Sequence, residues 1–292
     1  MPDGIISDKS SSATAVRDSF LHAAIWGMAI VMAGVFSWFL GDLFMRGAAG
    51  LDWSFLTSSP RNAGRGGGIA PMLVSTAAIL AVAICIAAPL ALATAILLSE
   101  FSFTGGPFAK WTGLSLDVLA GVPSIVFGLF GYAFFGVWLG LGFSILSGGL
   151  TLACMILPIL IRTAEQGLRA APLEWRHGAA ALGMSKATVL RRILIPAAAP
   201  ALTAGLVLGI GRAMAETAAL IHTSGYVDRM PASLLDSGRA LSVHIYDLSM
   251  NVAGGDRNAY AAALFLVISL ILINGAALWL ADRTFRKRIT TA

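Results

Sequence analysis

The sequence predicts an all-α membrane protein, a single membrane domain of six transmembrane helices with short ends. Three observations predict it. Hydrophobic residues make up 57% of the chain and charged residues only 12%, against roughly 25% charged in an average soluble domain. Charge-free runs recur at the length a helix needs to cross a ~30 Å hydrocarbon core, about 20 residues rising 1.5 Å each. Lys and Arg fall unevenly on the two sides that these runs define.

The runs come in order. Residues 19–41 carry no charge and exceed the apolar stretch of a signal peptide, about 7–15 residues, so a retained first span is expected. Residues 66–99 hold the second span, with 69–98 as its apolar body. Residues 118–161 are too long for one span and right for two, turned somewhere among Gly140, Gly142, Gly148 and Gly149. Pro123 in this run removes a backbone donor and predicts a kink. Residues 193–221 form the fifth span, with Arg212 and Glu216 inside it, and residues 258–281 form the sixth. The chain thus divides into a tail over 1–18, the six-helix domain over 19–285 and a basic tail over 286–292.

Six spans place both termini on one side. With the N-terminus inside, the inner side holds 13 of the Lys and Arg residues and the outer side 6, which puts both ends in the cytoplasm. The net charge of +5 then belongs to the cytoplasmic membrane face, with lipid and not nucleic acid as its partner. Cys85 and Cys154 sit inside apolar runs without metal-ligand spacing and read as small packing residues. Gly136/Gly140 and Gly205/Gly209 have the four-residue spacing that lets helix backbones approach closely in lipid. Trp38, Trp53, Trp138 and Trp279 lie near span ends and suit an interfacial belt, while His22, His222 and His244 show no ligand spacing.

The inner loop between spans four and five, residues 172–196, is the most informative segment. Pro172 suits the first turn of a helix and Glu174 the positive end of its dipole. Gly183 can end that helix in the left-handed conformation, and Ser185 can cap a second one running into the membrane. An Ala- and Gly-rich elbow of this kind is a poor lipid anchor and a good surface for another protein's groove.

This segment resembles the Glu-Ala-Ala loop of ABC-importer permeases, in which that triplet precedes Gly by three residues and Ile-x-Leu-Pro follows nine further on. Gly183, Ile193 and Pro196 keep the spacing, Ile195 stands where Leu is usual, and Ala179 matches. His177 stands for the Glu and Gly178 for the first Ala, with Glu174 one turn earlier as a carboxylate on a nearby face. The stretches 119–131, 157–165 and 211–219 narrow the resemblance to the PstA family of phosphate permeases, over most of residues 69–285. Ala215 departs from the Gly usual before the Glu-Thr pair. The resemblance implies an ABC-importer type I permease fold in the bacterial inner membrane. It also implies a coupling helix built from Glu174, His177, Gly178, Ala179, Ala180, Leu182, Gly183 and Ser185 that docks into an ATPase subunit. Implied partners are a homologous PstC-like permease, two PstB-like ATP-binding subunits and a periplasmic PstS-like phosphate-binding protein, which the outer segment 224–257 would meet.

The chain has no ATP site of its own, because none of its four lysines follows a glycine as a P-loop lysine must. No cofactor, metal or catalytic residue is expected, and ATP is consumed by a partner. Arg212 and Glu216, four apart within a span, would share a helical face and line an anion path, or else lock the bundle as an ion pair. Sixteen residues beyond Pro196, at 1.5 Å each, Arg212 stands roughly 24 Å up the helix. Arg162 at the inner end of span four is either a snorkelling anchor or an exit-side phosphate contact. Rival readings are a permease for sulfate, molybdate, phosphonate or a polar organic solute, and a self-contained secondary transporter. A membrane enzyme lacks a constellation to do chemistry.

Overall fold

A computed structural model describes residues 9–101 and 106–289, with side chains over 17–279 except 102–105 and 108. The helices, in chain order, are α1 (Lys9–Gly47), α2 (Trp53–Thr57), α3 (Ala70–Ile96), α4 (Pro107–Gly121), α5 (Ser124–Gly131) and α6 (Ile145–Arg169). There follow α7 (Leu173–Ala181), α8 (Lys186–Val189), α9 (Ile195–Met214), α10 (Ala218–Ile221), α11 (Leu241–Met250) and α12 (Asp256–Ile289). Wider π turns extend α3 through Leu97–Phe101 and α5 through Tyr132–Trp138, and join α8 to α9 through Leu190–Leu194. Two short strands, β1 (Pro60–Arg61) and β2 (Gly66–Gly67), pair antiparallel between α2 and α3.

Among the described residues five stretches are long and apolar enough to cross a membrane: Arg17–Gly50, Ala70–Phe101, Ile145–Arg169, Lys186–Met214 and Asp256–Trp279. The expected third span differs from a simple kink. It is a broken pair, α4 and α5, bent by 100°. Val122 (ψ 130°) and Pro123 (ψ 142°) are both extended at the break. The proline ring bars its predecessor from the helical region and supplies no N–H to carry the ladder on. The turn between spans three and four lies at Gly140 and Gly142, both at positive φ, whereas Gly148 and Gly149 belong to α6. Helix α1 also starts earlier than the tail expected over 1–18, at Lys9. The side chains of Lys9, Arg283, Arg286, Lys287 and Arg288 lie outside the described residues, as does the end of the tail at 290–292.

The core forms where small residues let helices close. Ile79, Ala83, Ala87, Ala91 and Ala95 make a buried stripe, one residue every four, along α3. That stripe faces α6, whose Gly149 leaves no room for a Cβ beside Val82 and Ile79. Gly205 and Gly209 of α9 likewise face Thr163 and Leu160 of α6, so this glycine pair packs helices as its spacing suggests. The pair Gly136/Gly140 does not, because Gly140 has open space around it and serves the turn. Helix α1 packs on α12, with Gly47 against Tyr260 and Leu264, and is otherwise exposed over its apolar length. A smaller cluster of Ala95, Ala164, Leu168, Ala171, Leu194 and Ala198 ties α3, α6 and α9 together at the end where α7 and α8 emerge.

Candidate functional site

The segment after α6 builds an elbow from local rules. Pro172 precedes α7 in an extended conformation (φ −54°, ψ 140°), and Glu174 lies in the first turn, where the helix dipole favours a carboxylate. At the far end Gly183 N–H donates to Ala180 O at 3.0 Å and Met184 N–H to Ala179 O at 3.0 Å. This double closure requires a left-handed residue, and Gly183 supplies it at φ +68°. Ser185 Oγ then accepts from Thr188 N at 3.3 Å and starts α8.

Among the α7 residues only Ala179 is buried. Glu174, His177, Gly178, Ala180, Leu182, Gly183 and Ser185 are all exposed, and so are three large apolar groups: Leu173 at 64%, Trp175 at 49% and Leu182 at 81%. These side chains leave the elbow with an uncovered apolar face, as α1 also has at Trp38 and Met45.

The opposite end corrects the reading of Arg212 and Glu216. Helix α9 stops at Met214, and residues 215–217 leave the helix before α10 begins. The two side chains therefore do not share a helical face. Glu216 turns its carboxylate onto Ala219 N at 3.2 Å, capping α10, while its carbonyl accepts from Ser242 Oγ of α11. These contacts compete successfully with continuation of the helix. Arg212 is exposed, and its side chain makes no ion pair or hydrogen bond among the described residues. Ala215 occupies the C-cap of α9 at an ordinary φ of −83° and is exposed, so its methyl group disturbs no helix packing.

Arg162 does more than snorkel. Its Nη2 donates to Asp117 Oδ1 at 2.6 Å and to Gly113 O at 2.9 Å, which fastens the broken helix α4 to α6. Its Nη1 lies 3.5 Å from Glu165 Oε2, and Glu165 pairs in turn with Arg169 at 2.9 Å. Glu165 is only 9% exposed, and the two cations beside it offset the cost of burying its charge. The i, i+3 and i+4 spacings of Arg162, Glu165 and Arg169 were a visible signal for this row.

The segment between α10 and α12 is internally committed. Arg239 pairs with Asp247 at 3.0 Å, donates through Nε to Tyr226 O at 2.8 Å and lies 3.3 Å from His244 Nδ1. A guanidinium has only donors, so Nδ1 accepts and the neutral ring keeps its proton on Nε2. His244 is 1% exposed, and burial, with Arg239 beside it, pushes its pKa down to about 4. Asp236 caps Ala232 and Ser233, and these backbone donors hold its carboxyl below the usual range. Of the charges expected to meet an outer partner, Arg239, Asp247 and Asp236 are thus spent on shaping the segment. His244, which shows no ligand spacing in the sequence, is a structural centre of it.

Cys85 and Cys154 form no disulfide, and among the described residues no group of three or more His, Cys, Asp and Glu gathers to hold a metal.

This arrangement belongs to a known class. Residues 87–289 match the family of binding-protein-dependent transport system inner membrane components, and the chain belongs to that family. It is 29% identical over 282 residues to a probable ABC transporter permease protein, YqgI, of Bacillus subtilis (strain 168), covering 91% of this chain and 94% of that one. It is 34% identical over 224 residues to the phosphate transport system permease protein PstA 1 of Mycobacterium tuberculosis (strain CDC 1551 / Oshkosh), covering 76% and 73%. A bacterial ABC transporter involved in the import of the acidic polysaccharide alginate has a chain of the same fold, with a TM-score of 0.57 at 14% identity. The match covers 94% of this chain and 99% of that one. The protein is therefore a multi-pass membrane permease of the ABC-importer type.

Proposed function

We propose that this chain is a permease subunit that passes inorganic phosphate through the bacterial inner membrane, driven by ATP that a partner subunit hydrolyses. The observation that carries the reading is the elbow of α7, Gly183 and α8, which projects Leu173, Trp175 and Leu182 into solvent. Such a surface fits a groove on a cytoplasmic ATPase, and the elbow side of the protein is then cytoplasmic together with both termini. Phosphate as the substrate is supported by the phosphate permeases among the relatives.

In this reading a second, homologous permease faces the first and encloses the path between them. Arg212 is the anion-reading residue. A guanidinium left facing lipid costs a few kcal/mol, so its exposed side faces the second subunit or a watery path. Its planar donor fork suits two oxygens of a phosphate. Glu216 shapes the end of that path by capping α10 and holding α11, and Arg162 holds the inner end of α6 against α4. The chain itself binds no cofactor and catalyses no reaction, and a periplasmic binding protein delivers the substrate.

Phosphate uptake by proteoliposomes, with and without the ATPase subunits, tests this. ATP-dependent uptake that requires those subunits and is not competed by sulfate, molybdate or phosphonate is expected. Concentrative uptake by the permease alone would overturn it.

A further inference from the structure

The elbow is fastened to the membrane domain by few contacts. Ala179 is the single buried residue of α7, Val189 of α8 packs on the cluster around Leu168 and Leu194, and α7 also has polar attachments. Arg176 makes them. Its Nη1 donates to Ala171 O at 2.8 Å, and its Nη2 donates to Leu168 O at 2.9 Å and to Glu100 Oε1 at 2.8 Å. Nε completes a bidentate pair with Glu100 Oε2 at 3.3 Å. Glu100 sits in the π turn that ends α3. The two side chains are 20% and 17% exposed, so water screens the pair far less than an open surface pair.

Two further cations reach the same turn. Arg169, at the end of α6, donates to Leu98 O at 3.1 Å. Lys186, in the first turn of α8, stands over the Phe101 ring at 5.4 Å from its centroid. The last turn of α3 presents unpaired carbonyls and the negative end of the helix dipole, which is where cations bind best. Three cations from α6, α7 and α8 thus close around one helix end. The cation of α7 is the only one of the three that joins the elbow helix itself to that end.

We infer that this clasp is the point at which displacement of the elbow enters the membrane domain, with Glu100 and Arg176 as its positioning residues. A push on α7 acts on α3 through the Glu100–Arg176 fork and on α6 through the carbonyl of Leu168. Helices α3 and α6 pack against each other along the stripe from Ile79 to Ala95, which carries the push from one to the other. The inference rests on the proposed function, because it needs an ATPase that moves α7.

The test uses the assembled importer in proteoliposomes with its ATPase subunits, second permease and binding protein, and reads phosphate transported per ATP hydrolysed. In E100Q the carboxylate charge is lost while size is kept. Assembly and ATP hydrolysis should persist while phosphate per ATP falls at least fivefold, and E100D should recover most of the ratio. A wild-type ratio in E100Q would overturn the clasp while leaving the proposed function intact. Absence of ATP-dependent uptake in the wild-type complex would instead sink the proposed function itself. Should E100Q fail to assemble, Glu100→Cys with Arg176→Cys, joined by a short bifunctional cross-linker after assembly, decides the question. Coupled uptake that survives cross-linking supports a joint that stays closed, and its abolition would overturn it.

Discussion

Replacing Gly183 asks whether a partner reads the shape of the elbow. At φ +68° a Cβ collides with its own backbone, at a cost of about 1–2 kcal/mol for an ordinary residue. No other heavy atom lies within 4 Å of where that Cβ would stand, so the cost is purely conformational. Alanine should therefore disfavour the bent elbow by about 1 kcal/mol, a roughly fivefold fall in the bent-to-unbent ratio, since 1.4 kcal/mol is a factor of ten. Asparagine tolerates the left-handed region and should cost less, and β-branched valine should cost most. The assay is the dissociation constant of the purified ATPase subunit for the permease in nanodiscs. Affinity should fall in the order Gly, Asn, Ala, Val, with alanine weaker by at most roughly fivefold. A valine variant that binds like wild type would show that the bend is irrelevant to docking. A hundredfold loss with alanine would show that the partner touches Gly183 directly, and the conformational argument would then be wrong.

Arg212→Ala should abolish phosphate uptake while complex assembly is retained, because the side chain holds no other described residue; lost assembly would assign it a structural task. Gly205→Leu should lower stability by about 1–3 kcal/mol, because the added side chain enters space that Thr163 of α6 fills, and trimming Thr163 to Ala should recover part of the loss. His244 titrates at about 4 when folded and at about 6.5 when unfolded, so the folded segment excludes a proton that the unfolded one binds. Its stabilisation of α11 is complete above pH 6.5 and is lost as pH falls through 4, by about 3 kcal/mol in all, with Asp247 and Asp228 moderating the loss. Hydrogen-exchange protection factors over residues 241–250, corrected for the intrinsic pH dependence of amide exchange, should fall as pH is lowered across that window, and unchanged protection would contradict the burial argument.

Where residues act through local properties, the sequence sufficed. The charge-free runs located the five unbroken spans, because transfer into hydrocarbon is a sum over consecutive residues, but not α4, which carries Lys110 and Asp117 ahead of its run. The elbow was legible residue by residue, from Glu174 at a helix start to Gly183 at a left-handed stop and Ser185 as the next cap, since each acts within one turn of chain. Pro123 announced a break, although its 100° angle was not readable from a missing N–H alone.

What only the tertiary structure decided involves partners distant in sequence. Spacing placed Arg212 and Glu216 on one face, but Ser242, contributed by another helix, holds the Glu216 carbonyl and the helix ends first. Nothing near Glu100 or Arg176 announces their pairing across 76 residues, and His244 looked idle until Arg239 and Asp247 closed around it. Hydropathy and capping are one-dimensional quantities that the chain carries with it. A hydrogen bond between remote groups exists only once packing has brought them together and excluded water, so it was settled by the fold.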